Sequence, residues 1–468
     1  MTLFTIAAAM LFTSPVFLFL FLPLCLLTYS LTPRALKNTL LLIFSLFFYA
    51  WGELQYVLLM LASIASNYLI GLTIDHAKHK RLWLALGVTF NLLPLLFFKY
   101  FAFFAQQLGW SLEQEIHLPL GISFFTFQAL SYLVDVYRQE VKAERNPLNL
   151  GLFISLFPQL IAGPIVRFKH IAEQLKSRTV GLPLFVSGIE RFVFGLAKKL
   201  LIANTLAVVA DDILALPQEQ ISLSLAWIAM VCYALQIYFD FSAYSDMAIG
   251  LGRMFGFTFL ENFNYPYIAQ SIQDFWRRWH MSLSGWFRDY LYIPLGGNRK
   301  GPWRTYLNLF LVFFLCGLWH GASWNFVIWG MIHGAFLVIE RLGVGQLLIQ
   351  MPRIIRLFYV WLVVLVAWVF FRIEGLPDAL GLLNIMFTGN ETATYYSWDY
   401  FFSNQFYIVI VLATVFASPI AKTFSLAKIE TLSVPLQYAR TAVVSSLLLL
   451  SVILVSANTY NPFIYFRF

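Results

Sequence analysis

Apolar runs of about 20 residues recur along nearly the whole chain and leave few folds open. A segment that long and that apolar crosses a bilayer as a helix, which satisfies its backbone N–H and C=O groups internally. The clearest runs are Met10–Leu31, Tyr56–Ile74, Leu82–Phe104, Leu223–Phe239, Tyr306–Leu318, Trp324–Ile339, Leu357–Phe371, Phe406–Ile420 and Thr441–Val455. Thr39–Ala50, Leu118–Val134, Leu150–Ile165 and Val186–Ala210 are shorter or interrupted, and predict short spans or re-entrant helices. The chain is 60% hydrophobic and 12% charged, with 48 phenylalanines in 468 residues. That composition lies outside the soluble class. The expected fold is an all-α polytopic membrane protein of about 11 to 13 transmembrane or re-entrant helices. No small-x-small cleavage pattern follows the first run, so it reads as a span rather than a removed signal peptide.

The net charge of +8 is read as topology. Basic residues gather in short connections: Arg34 and Lys37; Lys78, Lys80 and Arg81; Arg167 to Arg178; and Arg277 to Arg304. Positive connections stay cytoplasmic, which puts the N-terminus outside, with residues 39–74 as a helical hairpin. No stripe alternates basic and aromatic residues, so no nucleic-acid partner is expected. Membrane lipids are the expected surroundings. Cys25, Cys232 and Cys316 all sit in apolar sequence and form neither a disulfide framework nor a metal motif. No tandem period and no inverted pair of halves is evident, which argues against a solenoid and a transporter. The chain reads as a single integral-membrane domain, 1–468, with its polar chemistry concentrated in a core at about 118–335.

Two segments carry that chemistry. Gln273–Gly301 holds His280, Trp276, Trp279, Trp286 and four arginines (Arg277, Arg278, Arg288 and Arg299), with Arg304 just beyond. Polar groups beside membrane-depth sequence cost desolvation unless they are paired or line a wet cavity, so they mark functional sites. Cys316–Gly334 places His320 in a run that is apolar on both sides, with Trp324 expected one turn further along the same helical face. Gly317 with Gly321, and Gly330 with Gly334, have the small-xxx-small spacing of close helix packing. Histidine is the side chain suited to take a hydroxyl proton near neutral pH. G-x-S-x-G and H-E-x-x-H motifs are absent. His76 and His79 lie among basic neighbours and predict no metal site, and His333 predicts a packing or hydrogen-bonding role.

These residues carry a resemblance. Phe275–Gly297 (FWRRWHMSLSGWFRDYLYIPLGG) and Gly317–Gly321 (GLWHG) are similar to the signature segments of the membrane-bound O-acyltransferase superfamily, in its bacterial branch typified by alginate O-acetylase. The similarity extends to Pro119–Arg138, Phe157–Phe168, Tyr238–Gly252, Glu261–Ser271 and the tail Asn461–Phe468. The polar interval before the last helix, roughly 421–440, is short for an alginate enzyme. The resemblance implies helices around a central funnel or tunnel, with His320 as base or transient acyl carrier and His280 assisting. It makes Asp240, Tyr244, Asp246, Trp319 and Trp324 supporting candidates, with Asp240 equally readable as half of a structural ion pair. It gives Arg277, Arg278 and Arg288 to the phosphates of a donor, which arginine forks suit.

The function so implied is O-acyl transfer. No bound cofactor is expected; acetyl-CoA or another acyl thioester is the donor substrate, and an extracytoplasmic polysaccharide such as alginate is the destination. A periplasmic serine-esterase-type acetyltransferase and polysaccharide machinery are the implied partners, at the bacterial inner membrane. D-alanyl transfer to teichoic acid and acetylation of peptidoglycan remain open within the class. A polysaccharide flippase is the rival from another class, and the two histidine segments argue against it.

Overall fold

The computed structural model describes residues 10–110, 116–390, 396–420, 433–457, 462 and 464. The tail Asn461–Phe468 and the interval 421–440 therefore fall largely outside the described residues. Among the described residues the secondary structure is helical, with no strand. Among the described residues seven helical stretches are long and apolar enough to cross a membrane: Arg34–His76, Lys80–Gln107, Leu182–Leu214, Leu223–Met254, Trp324–Gln350, Arg353–Arg372 and Val434–Ser456. Phe17–Leu31, Leu376–Thr388 and Asn404–Phe416 are shorter apolar helices. The chain is an all-α polytopic membrane protein.

The interrupted runs resolve in different ways. Leu150–Ile165 breaks into two short buried helices, Pro147–Ser155 and Phe157–Leu160. Val186–Ala210 instead joins a continuous helical stretch, with Lys198–Ala203 wound as a π-helical turn inside it. Leu223–Phe239 extends by four turns, to Met254.

Contacts group the chain into two compact units. One comprises Met1–Phe192 and Tyr244–Glu261; the other comprises Val193–Ala243 and Asn262–Phe468. In the first, Asn67 and Asn91 exchange amide hydrogen bonds at 2.9 and 2.8 Å, joining Val57–His76 to Lys80–Leu95 through polar groups that bury no unmet donor. Arg178 donates to the Phe255 carbonyl at 2.9 Å and to Asn38 Oδ1 at 2.7 Å. Gly188 and Gly250 meet backbone to backbone: a methyl on Gly250 would lie 2.6 Å from the Gly188 carbonyl oxygen.

In the second unit, Pro302–His320 and Trp324–Ile339 pack along one another. Gly317 and Gly330 make that approach possible, since a methyl on Gly330 would lie 3.1 Å from the Gly317 Cα and against the Phe313 carbonyl. Arg372 pairs with Asp211 at 2.6 Å. Lys199 and Asp240, 3% and 1% exposed, form a buried ion pair at 2.8 Å.

Candidate active site

The site is built where the Pro302–His320 helix ends. His320 is its last residue, and extended backbone follows immediately, at Gly321 (φ −169°, ψ 150°) and Ser323 (φ −149°, ψ 157°). The expectation that Trp324 shares a helical face with His320 is thus corrected. Three residues of non-helical chain separate them; Trp324 opens the next helix and is half exposed. The same break removes His333 from the His320 helix.

His320 is 2% exposed and sits among rings. Its imidazole lies edge-on to Trp319 at 4.8 Å, Trp329 at 4.9 Å and Phe371 at 5.2 Å between centroids. Trp319 also faces His280, at 6.3 Å. The two histidines of the sequence reading are therefore brought to one indole. His333 packs against Trp329 at 5.1 Å and Trp276 at 5.2 Å between centroids.

His280 is fully buried and occupies left-handed backbone, φ 43° and ψ 54°, between the short helices Ile272–Arg278 and Met281–Phe287. Such a conformation is costly for a residue with a Cβ and persists where surrounding contacts enforce it. Asn262 supplies them. Its backbone carbonyl accepts from Met281 N at 2.9 Å, and its Oδ1 accepts from Ser282 N at 3.2 Å and Ser282 Oγ at 2.8 Å. The same oxygen lies 3.1 Å from His280 Nδ1. A backbone N–H can only donate, so the Asn262 atom is the oxygen, and His280 Nδ1 must carry the proton it donates. That tautomer leaves Nε2 with its lone pair, and no described residue occupies it. Burial also pushes the His280 pKa down from 6.5 to about 3, because the cation loses its solvation.

Two buried indole N–H groups stand nearby without an acceptor among the described residues, Trp329 Nε1 and Trp276 Nε1. Trp276 also lines a cavity of about 220 Å³ with Arg277, Arg288, Leu283, Phe313 and Cys316. Cys316 is one helical turn before His320 on the same helix. Arg277 and Arg288 in the lining are exposed, and most of the other lining residues are apolar.

The remaining candidates are placed elsewhere. Arg278 pairs with Asp274 at 2.8 Å and donates to the Asn264 carbonyl, so it is not a lining residue of this cavity. Asp240 is held by Lys199 and accepts from Ile464 N at 3.0 Å; Lys199 also donates to the Pro462 carbonyl. Asp246 pairs with Arg191 at 2.6 Å, which also binds Glu261. Tyr244 is buried and stacks on Phe12, with centroids 4.5 Å apart.

A family model for membrane-bound O-acyltransferases matches residues 43–376. The chain belongs to the membrane-bound O-acyltransferase family. It is accordingly an acyltransferase. It is 42% identical to the probable alginate O-acetylase AlgI of Pseudomonas putida, across 98% of this chain and all of that protein. It is 40% identical to the peptidoglycan O-acetyltransferase of Helicobacter pylori, across 81% of this chain and 80% of that protein. A teichoic acid D-alanyltransferase of Bacillus subtilis is 31% identical across 54% of this chain.

Asn262 and Trp329 stand in this candidate site though the sequence did not single them out, and Trp276 was legible only as part of the Gln273–Gly301 segment. Asn262 falls in the quoted segment Glu261–Ser271, but its link to His280 spans 18 positions and follows no helical or strand period. Trp329 reads as an ordinary apolar residue until its N–H group is seen to be buried.

Proposed function

We propose that this O-acyltransferase takes an acetyl group from a cytoplasmic thioester, acetyl-CoA or another acyl thioester, and passes it toward an extracytoplasmic polysaccharide such as alginate. The observation that carries the reading is the convergence of His280 and His320 on Trp319, with Cys316 of the His320 helix lining a cavity that also holds Arg277 and Arg288. The arginines suit donor phosphates, and the largely apolar lining suits the thioester arm. At about 220 Å³ the cavity is smaller than the roughly 300 Å³ of the smallest drug-sized pockets, so it favours an arm over a whole nucleotide.

In this mechanism the acceptor hydroxyl oxygen attacks the thioester carbonyl carbon. The new C–O bond forms, the C–S bond breaks, and the hydroxyl proton passes through His320 to the departing thiolate, which leaves as a thiol. His320 takes the base role because it closes its helix, where the C-terminal carbonyls favour a proton on the ring, while His280 Nδ1 is already committed to Asn262. His280 orients a hydroxyl or imidazole N–H through its Nε2 lone pair. The carbonyls at the helix C-terminus stabilise positive charge developing on His320. Trp329 and Trp276 N–H groups donate to the carbonyl oxygen as it gains negative charge. Asp240 and Asp246 act structurally, through Lys199 and Arg191.

The whole chain, 1–468, works as one catalytic domain in the bacterial inner membrane, with the Arg277–Arg304 connection cytoplasmic and the N-terminus outside. A periplasmic serine-esterase-type partner receives the acetyl group and completes transfer to the polymer. The names of the relatives support acetyl transfer to a cell-surface glycan, and support peptidoglycan as the second acceptor to test. The test is reconstitution with acetyl-CoA, alginate or peptidoglycan fragments, and candidate partners, reading thiol release and glycan acetylation. His320→Ala should cut transfer about 10²–10⁴-fold with membrane expression unchanged. Near wild-type transfer by that variant would overturn the assignment.

A further inference from the structure

A second cavity, of about 420 Å³, lies where the candidate spans Trp324–Gln350 and Arg353–Arg372 are joined. A connection between consecutive spans sits at a membrane face, whichever side that is. Gly343, at φ 139°, bends the chain out of the preceding helix and lays Gln346, Leu348 and Ile349 along the cavity. Only glycine adopts that backbone without strain. Arg341 and Arg356 line it with Gln273.

The cavity is cationic. Its one carboxylate, Glu340, accepts from Gln273 N at 3.0 Å, from Tyr359 OH at 3.1 Å and from Ile272 N, and so is engaged by neutral donors. Arg341 donates to Asn298 Oδ1 at 3.1 Å, and neither arginine pairs with a carboxylate among the described residues. Arg356 Nε is buried with no acceptor among them. A buried guanidinium donor with nothing to bind is costly, and it calls for an anion with several acceptor oxygens.

What surrounds the cavity identifies the carrier of that anion. Ile349 lines the cavity and is 75% exposed, and Leu342, Leu347 and Ile354, next to or two positions from lining residues in the chain, are 65%, 51% and 72% exposed, apolar surface that a soluble ligand would leave in water. We propose that this cavity binds a phosphate diester, and that the diester is the headgroup phosphate of an anionic phospholipid. Arg356 and Arg341 hold the phosphate oxygens, Gln273 and Gln346 face the polar headgroup, and the acyl chains lie along the exposed leucines and isoleucines. Gln273 also lines the cavity proposed for the donor arm, so a bound lipid would brace the segment that carries Trp276 and Arg277.

The test uses purified full-length protein in detergent, titrated with dioctanoyl phosphatidylglycerol, dioctanoyl phosphatidylcholine, inorganic phosphate or coenzyme A, with the thermal unfolding midpoint as readout. Of the two lipids only phosphatidylglycerol should raise the midpoint saturably, and any rise with coenzyme A should survive the cavity variants. Arg356→Gln should weaken its apparent Kd about tenfold or more, the usual effect of losing a charge-assisted hydrogen bond. Arg341→Gln, at an exposed side chain, reads the same site if Arg356→Gln does not fold. Arg353→Gln, on the same helix but not lining the cavity, should leave the Kd unchanged. Equal binding by wild type and both cavity variants would overturn the site. An equal loss in Arg353→Gln would reduce it to diffuse surface attraction, and stabilisation by coenzyme A or phosphate that the cavity variants abolish would overturn the lipid assignment.

Discussion

Asn262 Oδ1 lies 3.1 Å from His280 Nδ1 while accepting two hydrogen bonds from Ser282. A single oxygen thereby fixes three things: the path of the chain through a left-handed residue, the ring's orientation, and its tautomer. The backbone donor at Ser282 is what forces the assignment, because it removes the option of a flipped amide.

Asn262→Ala should therefore cost activity through His280 rather than through the substrate. The ring loses its acceptor and the alternative tautomer becomes accessible, so kcat should fall about 10–100-fold, the usual scale for losing a partner that orients a catalytic histidine. The KM for the acyl donor should change little. An unchanged kcat in a correctly folded variant, checked by gel filtration in detergent, would remove Asn262 from the site.

The Lys199–Asp240 pair predicts a different signature. Asp240→Ala leaves a buried ammonium without its carboxylate, a change that costs about 3–5 kcal/mol in buried pairs. Expression and thermal midpoint should drop sharply, and activity should fall only in proportion to folded protein. Lys199→Met combined with Asp240→Leu should recover much of the lost stability, since apolar replacement of both partners is often neutral. A catalytic Asp240 would instead give a stable, folded, inactive single variant.

These contrasts show which features could be read from sequence. Helical class followed from run length and hydropathy, because a bilayer allows few backbone solutions. His280 and His320 were legible because imidazoles are expensive in apolar sequence. The partners of Asp240 were not, since Lys199 lies 41 positions away on another helix. Trp324 was misplaced because Gly321–Ser323 adopts extended backbone that no apolar period announces. Arg278 looked equivalent to Arg277 by charge, yet its i, i+4 partner Asp274 claims it.

Close helix packing gives a third prediction. Gly317→Leu or Gly330→Leu would drive a side chain into the Phe326 or Phe313 carbonyl of the facing helix. The helices must then separate, which moves His320 from Trp329. Activity should be lost even where the protein still reaches the membrane. Wild-type activity in Gly330→Leu would contradict the packing.

His280 predicts the pH dependence of stability. It lies outside the candidate spans, and its folded pKa is near 3 against 6.5 for a free imidazole. Below 6.5 the unfolded chain binds a proton that the folded chain refuses, so acid favours unfolding through this group. The contribution is constant above 6.5 and is lost progressively as pH falls toward 3. Between pH 7.5 and 5 it amounts to at most about 2 kcal/mol. His280→Gln abolishes the titration, so the fall in thermal midpoint between those pH values should be smaller in the variant than in the wild type. Parallel losses in the two proteins would mean that His280 is solvated and not buried as described.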